Sequence, residues 1–148
     1  MKHHWATAAT LGLGIFASAA VAEEIAIAVH VGPTNGMYQV DQRIEASIEA
    51  KSGGKFDVVV LGQEVGGERD QLEATSTGEY QITLGGSLPM SLYAPDYAAA
   101  DLPFVWNSSA DARKVYEGEL GEDVQALIAE NGNMHLLGLS IRTPRNLT

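Results

Sequence analysis

Apolar and polar positions along the first half of the chain follow two rhythms. Glu24 to Val31 (EIAIAVHV) and Phe56 to Leu61 (FDVVVL) are short apolar runs of strand type. Between them Met37, Val40, Ile44 and Ile48 recur every three or four residues, the spacing of one helix face. Asp41, Glu45 and Glu49 fall on another face of that helix and read as its solvated side. Gly32-Pro33-Thr34-Asn35-Gly36 is turn chemistry before the helix, and Ser52-Gly53-Gly54 stops it. The unbroken run in FDVVVL predicts a strand covered on both faces of its sheet. A second helix beginning near Gly67 and a third strand at Tyr80 to Leu84 (YQITL) complete an alternation of strand and helix. That order predicts an α/β fold with a mainly parallel sheet flanked by helices.

The second half is less regular. Ser87 to Phe104 carries prolines at 89, 95 and 103 and predicts no long element. Ser108-Ser109-Ala110-Asp111 reads as a helix start. Leu120, Val124, Leu127 and Ile128 mark a further helix that ends at Asn131-Gly132, and His135 to Leu139 (HLLGL) reads as a fourth strand.

The stretch GQEVGGERDQLEATSTGEY, residues 62 to 80, breaks the pattern: Leu72 is its only large apolar residue between Val65 and Tyr80. A surface helix normally keeps its place by burying an apolar stripe. Here the tight Gly66-Gly67 turn and Leu72 must set the position instead, while Glu68 and Asp70 suit the positive end of the helix dipole.

Lys2, the apolar run Ala6 to Val21 and Ala20-Val21-Ala22 have the order of a secretory signal peptide cleaved after Ala22. The run is too short to span a bilayer and meets Glu23-Glu24 at once, so no direct membrane insertion is expected after cleavage. Lys2 leaves with the signal; the remaining eight basic against nineteen acidic residues give a net charge of −11. So acidic a chain, with no basic patch, excludes nucleic acid as a partner. It contains no cysteine, hence no disulfide and no thiolate chemistry, which together with export fits a bacterial periplasm.

No catalytic constellation is present. Gly85-Gly86-Ser87-Leu88-Pro89 lacks the second glycine of a nucleophile elbow, and there is no P-loop lysine or H-E-x-x-H. Neither a metal site nor a cofactor is predicted. Binding chemistry is better represented, because ligands of open parallel sheets sit beyond the carboxyl ends of the strands. The candidates there are His30, the Gly66-Gly67-Glu68-Arg69 turn, and Gly86-Ser87. Glycine pairs let backbone approach a ligand, and free N–H groups at a helix start favour an anion. Each has a plainer reading: His30 as a structural histidine, Glu68 as a helix-start acid, Arg69 as the partner of Glu73.

Taken in order, several segments resemble the DctP-like solute-binding proteins of TRAP transporters. Gly66-Gly67-Glu68-Arg69-Asp70-Gln71-Leu72-Glu73 is similar to that family's G-G-E-R-x-x-L-E segment. Pro95-Asp96-Tyr97 with Asp101-Leu102-Pro103-Phe104 resembles its P-E-F…D-L-P-F/Y segment, and Glu117-Gly118-Glu119-Leu120-Gly121 its D-G-x-x-G junction. His30 and Lys51-Ser52-Gly53-Gly54-Lys55 also fit. The resemblance implies two α/β lobes with an organic acid clamped between them and passed to TRAP membrane subunits, and no enzymatic activity. Because family members are about twice as long, it implies that residues 1–22 are a signal, 23–140 the first lobe, and 141–148 the start of the hinge, with the second lobe missing. It further implies a ligand-binding role for Arg145, in Pro144-Arg145-Asn146-Leu147-Thr148, and first-lobe rim positions for His30, Glu68 and Gly86, with Ser87 beside them. Thr143 stands where the family usually has Gly, Gly86 where it often has a polar side chain, and the second binding arginine has no counterpart. Two other classes stay open: a different two-lobe receptor for an amino acid or inorganic anion, and a secreted enzyme.

Overall fold

The computed structural model describes residues 21–140. Residues 1–20 of the expected signal, and Arg145 with the hinge segment, lie outside the described residues. The element order is β1 (Glu23–Ala28), α1 (Gly36–Ser52), β2 (Phe56–Leu61), α2 (Glu68–Thr77), β3 (Ile82–Thr83), α3 (Ser87–Met90), α4 (Ser109–Tyr116) and α5 (Glu119–Gly132). Short 3-10 helices occupy Gln63–Val65 and Pro95–Asp101. The sheet has the order β2-β1-β3, and both pairings are parallel. The chain is most buried where its central strand ends: Ile27 and Ala28 of β1 and Val29 just after it are wholly inaccessible.

β3 is shorter than the expected Tyr80 to Leu84 because a side chain takes over part of its ladder. Gln81 Oε1 accepts the Ala26 N–H at 2.8 Å; the N–H groups of Gln81 and Leu84 still donate to the Ala26 and Ala28 carbonyls (3.1 and 3.4 Å), but only Ile82 and Thr83 are in ladder register, with Ile27 and Ala28. The expected fourth strand does not form: His135 to Leu139 is irregular and joins no ladder among the described residues, and Leu137 is 79% exposed. A strand needs backbone partners as well as apolar side chains. The continuous cover expected for β2 is also incomplete, since Val59 is 36% exposed.

The acidic face of α1 reverses the sequence expectation. Asp41 is buried, Glu45 and Glu49 are half-buried, and the apolar Val40 and Ile44 are 50% and 38% exposed. The reason lies in what α1 packs on. β2 is an edge strand, and its alternate backbone groups face away from β1. Side chains of α1 meet three of them in turn: Phe56 N donates to Ser52 Oγ (3.3 Å), Val58 N donates to Glu49 Oε1 (3.1 Å), and Tyr38 Oη donates to Val60 O (3.2 Å). An edge of unpaired N–H and C=O groups calls for polar side chains, so the polar stripe turns inward.

The remaining core gathers Leu72, Met90, Ala94, Tyr97, Tyr116, Val124, Ile128 and Met134. Tyr97 and Tyr116 meet edge-on with ring centroids 5.1 Å apart. The Ser108 hydroxyl accepts the Asp111 N–H at 3.1 Å and caps α4, as the sequence suggests. Val124 and Ile128 are the buried face of α5.

Candidate ligand-binding site

The polar helix α2 is positioned by two adjacent residues. Leu72 is wholly buried in the core, and Gln71 beside it is equally buried. The Gln71 side-chain amide donates to the carbonyls of Gly62 (3.3 Å) and Gly66 (3.1 Å), so it ties the helix to the turn that precedes it. Gly66 has φ +114°, a conformation that favours glycine. Asp70 Oδ2 accepts the Gly67 N–H at 3.1 Å, completing the helix start. Leu72 reads from the sequence as an anchor; Gln71 was missed, because a glutamine in a polar stretch carries no sign of burial.

With α2 so placed, Glu68 stands over the carboxyl end of the sheet. Its Oε1 accepts the Gly86 N–H at 2.5 Å and lies 3.9 Å from His30 Nδ1. One carboxylate therefore stands among the loops that follow all three strands, bonded to Gly86 after β3 and close to His30 after β1. A methyl group on Gly86 would sit 3.0 Å from Glu68 Oε1, so the lack of a side chain there permits the close approach. The side chains of His30 and Glu68 keep 18% and 25% of their exposure, which leaves an open wall. His30 Nδ1 is buried and has no hydrogen-bond partner among the described residues.

Ser87 follows Gly86, but its hydroxyl is taken by Asp101, donating to Oδ2 at 2.5 Å. Sequence reasoning did not single out Asp101 for this role. Arg69 pairs with Glu73 (3.1 Å) on the exposed side of α2, the plainer of its two readings. Shallow concavities along α4 (Ser109, Arg113, Lys114, Glu117) and at the α4–α5 junction share no residue with this wall. Among the described residues no cluster of His, Cys, Asp or Glu could hold a metal ion, and no helix is long and apolar enough to cross a membrane.

A parallel α/β lobe whose strand-end loops converge on a partly exposed polar wall has the layout in which open-sheet proteins bind ligands. The sequence places it more narrowly: residues 28–148 match the bacterial extracellular solute-binding protein family 7 (DctP), and the chain belongs to that family. Its members are periplasmic solute-binding proteins. A solute-binding protein of Verminephrobacter eiseniae is 29% identical over 123 residues, an alignment covering 67% of this chain and 37% of the relative. One of Roseobacter denitrificans is 26% identical over 144 residues, covering 95% of this chain and 44% of the relative. The chain thus spans less than half the length of the curated relatives it matches.

Solved structures agree on the fold. A TRAP periplasmic solute-binding protein from Sulfitobacter sp. NAS-14.1, with bound β-D-galacturonate, superposes with a TM-score of 0.68 at 19% identity, covering 74% of this chain and 37% of that one. Another from Roseobacter denitrificans, with bound L-galactonate, gives 0.64 at 19% identity and covers 74% and 36%.

Proposed function

We propose that the chain forms the first lobe of the extracytoplasmic receptor of a TRAP-type transporter. The receptor captures an organic acid in a cleft between two lobes and delivers it to the membrane subunits. It is not an enzyme and takes no cofactor. The observation that carries this reading is the Glu68 carboxylate standing among the loops after β1, β2 and β3 at the carboxyl end of a parallel sheet, bonded to Gly86 and 3.9 Å from His30. His30, Glu68, Gly86 and Ser87 form the near wall. Arg145 grips the ligand carboxylate, since its planar guanidinium can donate two parallel hydrogen bonds. The galacturonate and galactonate bound by two of the solved relatives are acids of this kind.

Saturation-transfer NMR, which detects weak complexes, tests the reading against organic acids, α-amino acids and inorganic phosphate. Saturation transfer to the organic acids alone is expected, with loss of signal in Arg145→Ala. A response confined to α-amino acids or to phosphate would transfer the chain to another class of two-lobe receptor.

A further inference from the structure

Two Asn-Gly pairs occur in the chain, Asn35-Gly36 and Asn131-Gly132, and neither contributes a residue to the wall of His30, Glu68 and Gly86. A glycine after asparagine leaves the peptide nitrogen unhindered, so it can attack the side-chain amide carbon wherever the backbone can turn. The fold treats the two pairs in opposite ways. Asn35 is the N-cap of α1, and both members of its pair are exposed. Its Oδ1 accepts the Met37 N–H at 2.9 Å, while its Nδ2 has no partner among the described residues. Gly36 is the first residue of the helix, where a backbone N–H has no intrahelical acceptor, and a side chain there would meet nothing within 4 Å. Turning the 35–36 peptide opens only the cap and the bond from Gln39 N–H to Asn35 O (3.2 Å), at an exposed helix end that can fray. Gly132 instead lies buried in the last turn of α5, its N–H within the helical ladder. Asn131 Nδ2 donates to the Tyr93 carbonyl at 2.7 Å, and the Tyr93 ring packs against Gly132.

We infer that Asn35 is a deamidation site of the folded chain and that Asn131 is protected by its place in the fold. The Gly36 nitrogen gives its proton to solvent and attacks Asn35 Cγ. The new C–N bond closes a cyclic imide as the Cγ–Nδ2 bond breaks and ammonia leaves. Water then opens the imide at either carbonyl, giving aspartate or isoaspartate with no change of oxidation state. The fold tolerates the aspartate product, because its carboxylate still accepts the Met37 N–H and its charge suits the positive end of α1.

Incubation of the purified chain at mildly alkaline pH, in buffer and in urea, followed by peptide mapping with mass spectrometry, tests the inference. In buffer Asn35 is expected to convert at least about tenfold faster than Asn131, because Asn131 reacts only when α5 opens locally. In urea both pairs are unfolded and the two rates are expected to converge. Gly36→Ala, which the open surroundings accommodate, is expected to slow conversion at Asn35 by about tenfold or more, since a Cβ restricts the backbone turn. Equal rates in buffer overturn the inference, and so does an Asn35 that persists in buffer while it converts in urea. An undiminished rate in Gly36→Ala would assign the reaction to direct hydrolysis by water and overturn the imide route.

Discussion

Asp41 shows how a single residue can run against the interest of the fold. Burial in the α1–β2 seam leaves its Oδ2 without a hydrogen bond and pushes its pKa up from 3.8 to about 6. A proton on Asp41 therefore favours the folded state. Below pH 3.8 both states are protonated and the residue is neutral in effect; between there and about 6 only the folded state holds the proton, so stability falls as pH rises. Above about 6 the destabilisation is complete, at most on the order of 3 kcal/mol and less where solvent screens the carboxylate. Asp41→Asn is expected to be more stable at neutral pH by up to that amount and to lose this pH dependence. Urea unfolding across the range measures it, and an unchanged slope would contradict the assignment. Gln71 is a mixed case: its amide protons are spent on the Gly62 and Gly66 carbonyls, while its Oε1 is buried without a hydrogen-bond partner among the described residues.

At the scale of elements, helical period was legible in the sequence but facing was not. Met37, Val40, Ile44 and Ile48 do lie on a helix, α1, yet its inward stripe is Tyr38, Asp41, Glu45, Glu49 and Ser52. The hydrophobic-face rule assumes a helix packed on a sheet face or another helix; here side chains of α1 bond the outer backbone groups of β2. The α4–α5 junction depends on the close approach of two helices. A methyl on Gly121 would run into the Tyr116 carbonyl, a backbone atom that cannot move aside alone. Gly121→Ala is thus expected to destabilise the chain by about 1–3 kcal/mol, although alanine is the better helix former. Thermal unfolding checks this, and a raised melting temperature would mean that the junction opens freely.

Whole-molecule behaviour follows from a wall that is open and an apolar surface that is partly bare. Phe104 is 99% exposed at φ +64°, Leu102 and Val105 beside it in the chain are exposed, and so is Leu88. Closing two lobes would remove a ligand from water and strengthen its charged hydrogen bonds. An exposed arginine–carboxylate contact alone contributes about 0–1 kcal/mol, less than the cost of restricting the ligand. Isothermal titration of this chain with organic acids is expected to give affinities weaker than micromolar; tight binding by a monomer would put the complete site in one lobe. Export is expected to release a chain beginning Glu-Glu-Ile-Ala. N-terminal sequencing of periplasmic protein reads this directly, and a retained Met1 would refute it.

Short apolar runs, helical period and glycine turns were enough to determine the α/β class and the parallel sense of the first three strands. Those are local properties, carried by period and by backbone permissiveness at a few glycines. Tertiary structure alone decided that HLLGL finds no partner, that the acidic stripe of α1 turns inward, and that Gln71 rather than a wide apolar face holds α2. It also decided that Glu68 accepts the Gly86 N–H and comes within 3.9 Å of His30, 56 residues away from Gly86 in the numbering. Each of these depends on which backbone groups stand unpaired once the sheet has formed. A hydrogen bond to such a group is a relation between distant segments, and residue type at either end does not encode it.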